Sequence, residues 1–205
     1  MEIVCLDLEG VLVPEIWIAF AKHTGIDSLK ATTRDIPDYD ELMQQRLRIL
    51  AEHKLGIREI QDVIAQLKPL EGAADFIEWL RARFQVIILS DTFYEFSQPL
   101  MQQLGWPTLF CHRLEIGAKG EVSGYQLRQR DHKRQSVLAL KTLYYRVFAA
   151  GDSYNDTSML KEADKGILFK APANVISEFS QFAAVDTYAD LQSQFIAASG
   201  RDLSP

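Results

Sequence analysis

The chain has 205 residues, 47% hydrophobic and 24% charged, with a formal net charge of −6. This suits one hydrophobic core plus an inserted subdomain and excludes a disordered chain. There is no basic run interleaved with aromatics, which argues against a nucleic-acid partner, and no apolar stretch reaches the ~18 residues of a membrane span.

Both cysteines, Cys5 and Cys111, lie in apolar contexts and are expected as reduced core thiols, which fits a reducing compartment. The chain opens directly on a strand pattern without the basic start of a signal peptide, so a cytoplasmic location is expected.

The first element, a strand over residues 3–8, delivers Asp7 and Glu9 to its carboxyl end, followed at once by Gly10. Carboxylates converging at a strand end are costly to bury without a cation. That pattern points to a metal ion and to phosphoryl transfer through an aspartyl-phosphate. Taken alone, such a motif is more often a turn with two solvated acids.

Roughly sixty residues then separate Val13 from the next core helix, far more than a crossover needs. Helical patterns fill them at 15–24, 39–53 and 57–67, between Pro14 and the Pro69-Leu70-Glu71-Gly72 turn. We expect a small helical cap over 14–70, inserted into a core domain of 1–13 and 71–205. The alternative is that these helices pack on the sheet; their placement beside Asp7 favours a cap. On the 39–53 helix, Tyr39, Leu42, Met43 and Leu50 form an apolar stripe with Arg46 at its centre. An arginine there needs a partner, either an acid of the cap or a ligand carboxylate held bidentately. Glu15 opens a helix after Pro14, where it can stabilise the helix dipole or reach a ligand ammonium.

Further strands are predicted at 85–89, 108–111, 146–150 and 166–169, with helices at 73–83, 94–104, 132–144, 155–163, 173–180 and 188–198. This alternation implies a Rossmann-like α/β core with a parallel sheet. Residues 111–127 break the rhythm and read as a β-hairpin around Gly117-Ala118-Lys119-Gly120. Arg201 to Pro205 are expected to fray.

Three strands thus end in polar groups: Asp7 and Glu9; Ser90-Asp91-Thr92, read as a turn; and Gly151-Asp152-Ser153-Tyr154-Asn155-Asp156. Ligands of open α/β sheets bind outside the carboxyl ends of strands. Asp7 is the candidate nucleophile. Glu9 can serve as general acid and base, and its backbone carbonyl can ligate a metal. With Asp7, Glu9 and Asp152 as ligands the site suits Mg²⁺, and Asp156 is either a further ligand or an orienter. Ser90 and Lys133 can bind phosphate, although a turn serine and a solvated helix start are the simpler readings. The histidines His23, His53, His112 and His132 show no metal-ligand spacing and are given no role.

Asp7-Leu8-Glu9-Gly10, Ser90, Lys133 and Gly151-Asp152 with Asn155-Asp156 occur in the order of the haloacid-dehalogenase-like phosphohydrolases, and the chain resembles that family over nearly its whole length. The cap with Glu15 and Arg46 is similar to the phosphoserine phosphatase branch. The segments from Asp7 to Glu15 and from Ser90 to Phe96 resemble bacterial members that also transfer phosphate from phosphoserine to homoserine. The resemblance implies Mg²⁺, an aspartyl-phosphate intermediate, and phosphoserine recognised by Glu15, Arg46, Ser90, Asp91, Lys133 and Asn155. Glu9 departs from the family pattern, which has Asp there. The alternatives are a capped phosphatase for another small phosphomonoester and a phospho-acceptor signalling module without turnover. Receiver-like modules have no use for a sixty-residue lid. A homodimer stays open.

Overall fold

The structure, a computed structural model, describes residues 1–32, 35–36 and 38–201. Side chains alternate across a strand, and this sets the layering. In β1 (Glu2–Leu6), Val4 and Leu6 join one core cluster while Ile3 and Cys5 join another. In β5 (Arg146–Gly151), Phe148 and Ala150 face the first cluster and Val147 and Ala149 the second. Against the first face pack α4 (Ala73–Arg81), through Phe76 and Leu80, and α9 (Tyr188–Ser199), through Leu191 and Phe195. Against the second pack α6 (His132–Thr142), α7 (Thr157–Glu162) and α8 (Ala173–Glu178). Cys5 and Cys111 are free and buried, as expected.

Seven strands among the described residues form one sheet of order β4-β3-β2-β1-β5-β6-β7. All neighbours are parallel except β3 (Thr108–Ile116) and β4 (Val122–Gln126), which form the hairpin. Leu6 of β1 aligns with Ile88 of β2 (Gln85–Phe93) on one side and with Ala150 of β5 on the other. The chain winds outward from β1 in both directions, so the carboxyl ends of β1, β2 and β5 surround the switch point where such sheets bind ligands.

Between β1 and α4 lie α1 (Ile16–Thr24), α2 (Tyr39–Glu52) and α3 (Ile57–Ile64). Asp38 caps α2 by accepting the Glu41 N–H at 2.9 Å. Phe20, Met43, Leu50, Ile60 and Ile64 of these helices share a core with Leu8, Phe93, Phe96 and Leu114. Backbone bonds tie the segment down: Leu70 N–H donates to the Leu12 carbonyl (2.9 Å) and Ile57 N–H to the Gly120 carbonyl (2.8 Å).

Four details depart from the sequence reading. The strand at 108–111 and the first arm of the hairpin are one strand, β3, paired with β2 at one end and β4 at the other. Ser90-Asp91-Thr92 is not a turn: β2 runs on to Phe93 with a register shift against β3 after Leu89. A short strand β7 (Ala183–Val185), too brief to show a pattern, pairs with β6 (Lys165–Phe169) at the edge. Arg201 is held, because its guanidinium lies 2.6 Å from Glu2 and donates to the Arg83 carbonyl at 3.1 Å; Asp202 to Pro205 lie outside the described residues.

Candidate active site

Asp7 leaves β1 with its N–H bonded to the Ala150 carbonyl at 3.0 Å, which fixes it beside the end of β5. There Asp7, Asp152 and Asp156 bring carboxylate oxygens within 4.8 Å of one another. Two glycines permit this. Gly10 has φ +76°, and a Cβ there would sit 2.5 Å from Asp152 Oδ2; a Cβ on Gly151 would sit 2.3 Å from Asp156 Cγ. Each is a close approach that a side chain would obstruct.

Lys133 enters this cluster from the first turn of α6, only 2% exposed. Its Nζ donates to Asp7 Oδ1 (2.9 Å) and Asp156 Oδ1 (2.8 Å) and lies 3.4 Å from Asp91 Oδ2. Burial opposes its charge, but Asp156, Asp7 and Asp91 together hold the ammonium well above its usual range. Asp156 Oδ2 accepts the N–H groups of Asp152 (3.0 Å) and Ser153 (3.1 Å), so this carboxylate is fully engaged by the protein.

One ammonium does not balance the acids. Burial first, and the Asp156 charge second, push Asp7 well above the carboxylate range despite Lys133. Burial, Asp156 and Glu15 lift Asp152 to about 7. An all-oxygen cluster short of positive charge fits a hard divalent cation. The Glu9 side chain takes no part in it. Its Oε2 accepts the Ile16 N–H at 2.8 Å and so caps α1; burial, then the Glu15 charge, raises its carboxyl to about 7.

The end of β2 supplies the next groups. Ser90 is buried, and its Oγ accepts the Thr92 N–H at 3.2 Å. The Asp91 carboxylate turns toward α6: His132 Nε2 lies 3.1 Å and His112 Nε2 3.4 Å from Oδ1, and Asn155 Nδ2 donates to Oδ2 at 2.7 Å. Burial alone would raise this carboxyl, but Lys133, His112 and His132 hold it well below the usual range. Sequence reasoning missed these two histidines. The available signals were His132 beside Lys133 at a helix start and His112 one position from buried Cys111 in a strand.

Arg46 comes from α2. It is 7% exposed. Nη2 donates to the Ala31 carbonyl at 2.9 Å, Nη1 faces Met43 Sδ at 3.7 Å, and Nε has no partner among the described residues. The guanidinium stacks over Trp17, 4.5 Å from the ring centroid. No salt bridge to it exists among the described residues. Burial lowers its pKa to about 10 against the opposing pull of Tyr39, Glu9 and Glu15. Glu15 itself is exposed at the amino end of α1.

Residues 1–164 match the haloacid dehalogenase-like hydrolase family. The chain is 74% identical over 204 residues to the phosphoserine phosphatase ThrH of Pseudomonas aeruginosa, covering 100% of both chains. It is 71% identical to a phosphoserine phosphatase of Pseudomonas syringae, over 99% of this chain and 86% of that one. A solved phospho-aspartyl intermediate analogue of phosphoserine phosphatase superposes with a TM-score of 0.77 at 21% identity, covering 95% of this chain and 98% of the other, and so shares the fold. On this evidence the chain belongs to the haloacid dehalogenase-like hydrolases.

Proposed function

We propose that this enzyme is a Mg²⁺-dependent phosphoserine phosphatase that works through an aspartyl-phosphate on Asp7 and can also pass the phosphoryl group to homoserine. The observation that carries the substrate assignment is Arg46, a buried guanidinium with no salt bridge among the described residues. A desolvated cation without a counter-ion is expensive, and the α-carboxylate of an amino-acid substrate would supply one. The names of the Pseudomonas relatives support the same reading.

In this reading Asp7 Oδ attacks phosphorus, the phosphorus–serine oxygen bond breaks, and Glu9 donates its proton to that oxygen. A Glu9 carboxyl near 7 holds a proton for that step and can take one from the incoming acceptor in the next. The acceptor oxygen then attacks phosphorus and frees Asp7. Lys133 and Ser90 hold phosphoryl oxygens, with Asn155 beside them. Asp7 and Asp152 would hold Mg²⁺ together with the Glu9 backbone carbonyl. Asp156, already saturated by Lys133 and two N–H groups, orients rather than ligates. The ion would supply charge neutralisation between the phosphate and these acids. We read residues 14–70 as the cap that closes over this centre, with Glu15 reaching the substrate ammonium. The buried free thiols are in keeping with a cytoplasmic setting.

The test is phosphate release in Mg²⁺ from phosphoserine against phosphoethanolamine, which lacks only the carboxylate. Strong preference for phosphoserine is expected; equal rates would sink the assignment.

A further inference from the structure

We propose that His112 and His132 are positioning residues that hold the Asp91 carboxylate in place as the brace of Lys133 and Asn155. This rests on the reading of Lys133 and Asn155 as the phosphate end of the site. The two imidazoles come from different elements, β3 and α6, are 3% and 2% exposed, and aim both Nε2 atoms at one oxygen, Asp91 Oδ1. The other oxygen, Oδ2, is left to Lys133 (3.4 Å) and Asn155 (2.7 Å). Tyr39 of α2 completes the surroundings by donating its hydroxyl to the Asp91 carbonyl at 3.2 Å.

Proton positions follow from the neighbours. The Arg128 N–H donates to His112 Nδ1 at 3.2 Å, so that nitrogen carries a lone pair and the ring proton sits on Nε2, toward Asp91. His132 Nδ1 is buried without a partner among the described residues. Burial disfavours the imidazolium, and its single proton is best spent on Nε2, where Asp91 accepts it. Two neutral donors therefore clamp the anion without cancelling its charge. Asp91 Oδ1 and the two Nε2 atoms are also spaced like ligands of a transition metal. A protonated Nε2 is not a ligand, however, and metal-bound histidines donate their other nitrogen outward, where His112 instead accepts.

The clamp matters because Lys133 has three N–H donors and three carboxylates in reach, Asp7, Asp156 and Asp91. An Asp91 free to rotate would leave one donor unpaired and release the Asn155 amide, whose nitrogen it fixes. Misplacement of phosphate-holding groups by about 1 Å can cost about 10²-fold in rate.

The experiment is a mutant cycle read as kcat and KM separately, on phosphoserine and on p-nitrophenyl phosphate. H112L/H132L should lower kcat/KM about 10- to 100-fold on both substrates. H112Q/H132Q, which keeps a donor near each Nε2 position, should recover most of that loss. D91N should lose about as much as the leucine pair, and the triple variant no more than D91N alone. Losses that multiply in the triple variant, or glutamines no better than leucines, would overturn the proposal. Nitrogen-detected NMR of the parent enzyme provides a check that needs no variant to fold. His112 and His132 should both be Nε2–H tautomers at neutral pH, and an Nδ1–H His112 would also overturn it. A parent active on p-nitrophenyl phosphate but not on phosphoserine would defeat the substrate assignment while leaving the cycle readable.

Discussion

Arg46 lies over Trp17 with its guanidinium carbon 4.5 Å from the ring centroid, sealed from water and without a carboxylate partner among the described residues. A cation–π contact offsets about 2 kcal/mol when desolvated, less than the several kcal/mol that burying an ion costs. The free protein therefore carries an electrostatic strain that a carboxylate ligand would relieve. Tyr39, Glu9 and Glu15 oppose the effect of burial without forming a salt bridge.

Arg46→Ala should raise KM for phosphoserine by a factor equivalent to about 2–5 kcal/mol, with little effect on phosphoethanolamine. Arg46→Met should lose the same affinity yet melt higher than the parent, because an apolar side chain of similar length removes a buried unpaired charge. A lower melting temperature for Arg46→Met would mean the arginine is a structural strut.

The acid cluster makes stability depend on pH in a defined direction. Asp152 and Glu9 each lie near 7 in the fold against about 4 when unfolded, and Asp7 is raised in the same sense. A raised acid favours the folded state while protonated, so this contribution is complete below pH about 4 and is lost as pH climbs to about 7. With chelator present, the melting temperature should fall across that window. Mg²⁺ needs ionised ligands, so the stabilisation it gives should be larger at pH 8 than at pH 5.5. Equal Mg²⁺ shifts at both pH values would contradict the cluster as the metal site.

Asp7→Asn should abolish turnover and leave a folded protein of equal or higher melting temperature, since it removes one of several crowded acids. Beryllofluoride should then bind the parent and not the variant. Activity within tenfold of the parent would remove Asp7 as the nucleophile.

Much of this site was legible because its residues follow strands in short runs. Asp7, Asp91 and Asp152 all stand just beyond the apolar runs that put them at the switch point of the sheet. Arg46 was legible from helical spacing alone, as a charge inside an apolar stripe. The histidine clamp was not, because His112 and His132 are distant in sequence and meet only through the packing of β3 beside α6. The continuity of β3 was hidden for a related reason: a strand that changes partners midway shows no break in its own residues. The sequence shows the Glu9 side chain only as a general acid and base at a strand end, whereas the α1 amino end also claims one of its oxygens, a competition visible only once α1 begins at Ile16.

That competition separates two Glu9 variants. Glu9→Gln keeps an oxygen for the Ile16 N–H and loses only proton transfer. It should slow both formation and discharge of the phosphoenzyme, by about 10²–10⁴-fold each, with a melting temperature equal to or above the parent's at neutral pH, because the neutral amide does not titrate. Glu9→Ala should add a stability loss of about 1 kcal/mol from the missing cap. A Gln variant slowed in only one half-reaction would show that another group serves the other.

The transferase half of the proposal turns on what can enter once serine has left. An acceptor must reach the phosphoryl group proposed on Asp7 within range of Glu9, beneath the cap proposed for residues 14–70. Water needs no recognition, whereas homoserine can reuse the contacts proposed for serine: its carboxylate on Arg46, its ammonium toward Glu15, its hydroxyl at Glu9. Held there, it gains an effective concentration that water entering unaided lacks. Millimolar homoserine should therefore divert phosphate from phosphoserine into O-phosphohomoserine and lower free phosphate in proportion. Arg46→Ala should abolish the diversion while any residual hydrolysis continues, because the acceptor then loses its carboxylate anchor. Unchanged phosphate release with no phosphohomoserine formed would make this chain a phosphatase alone.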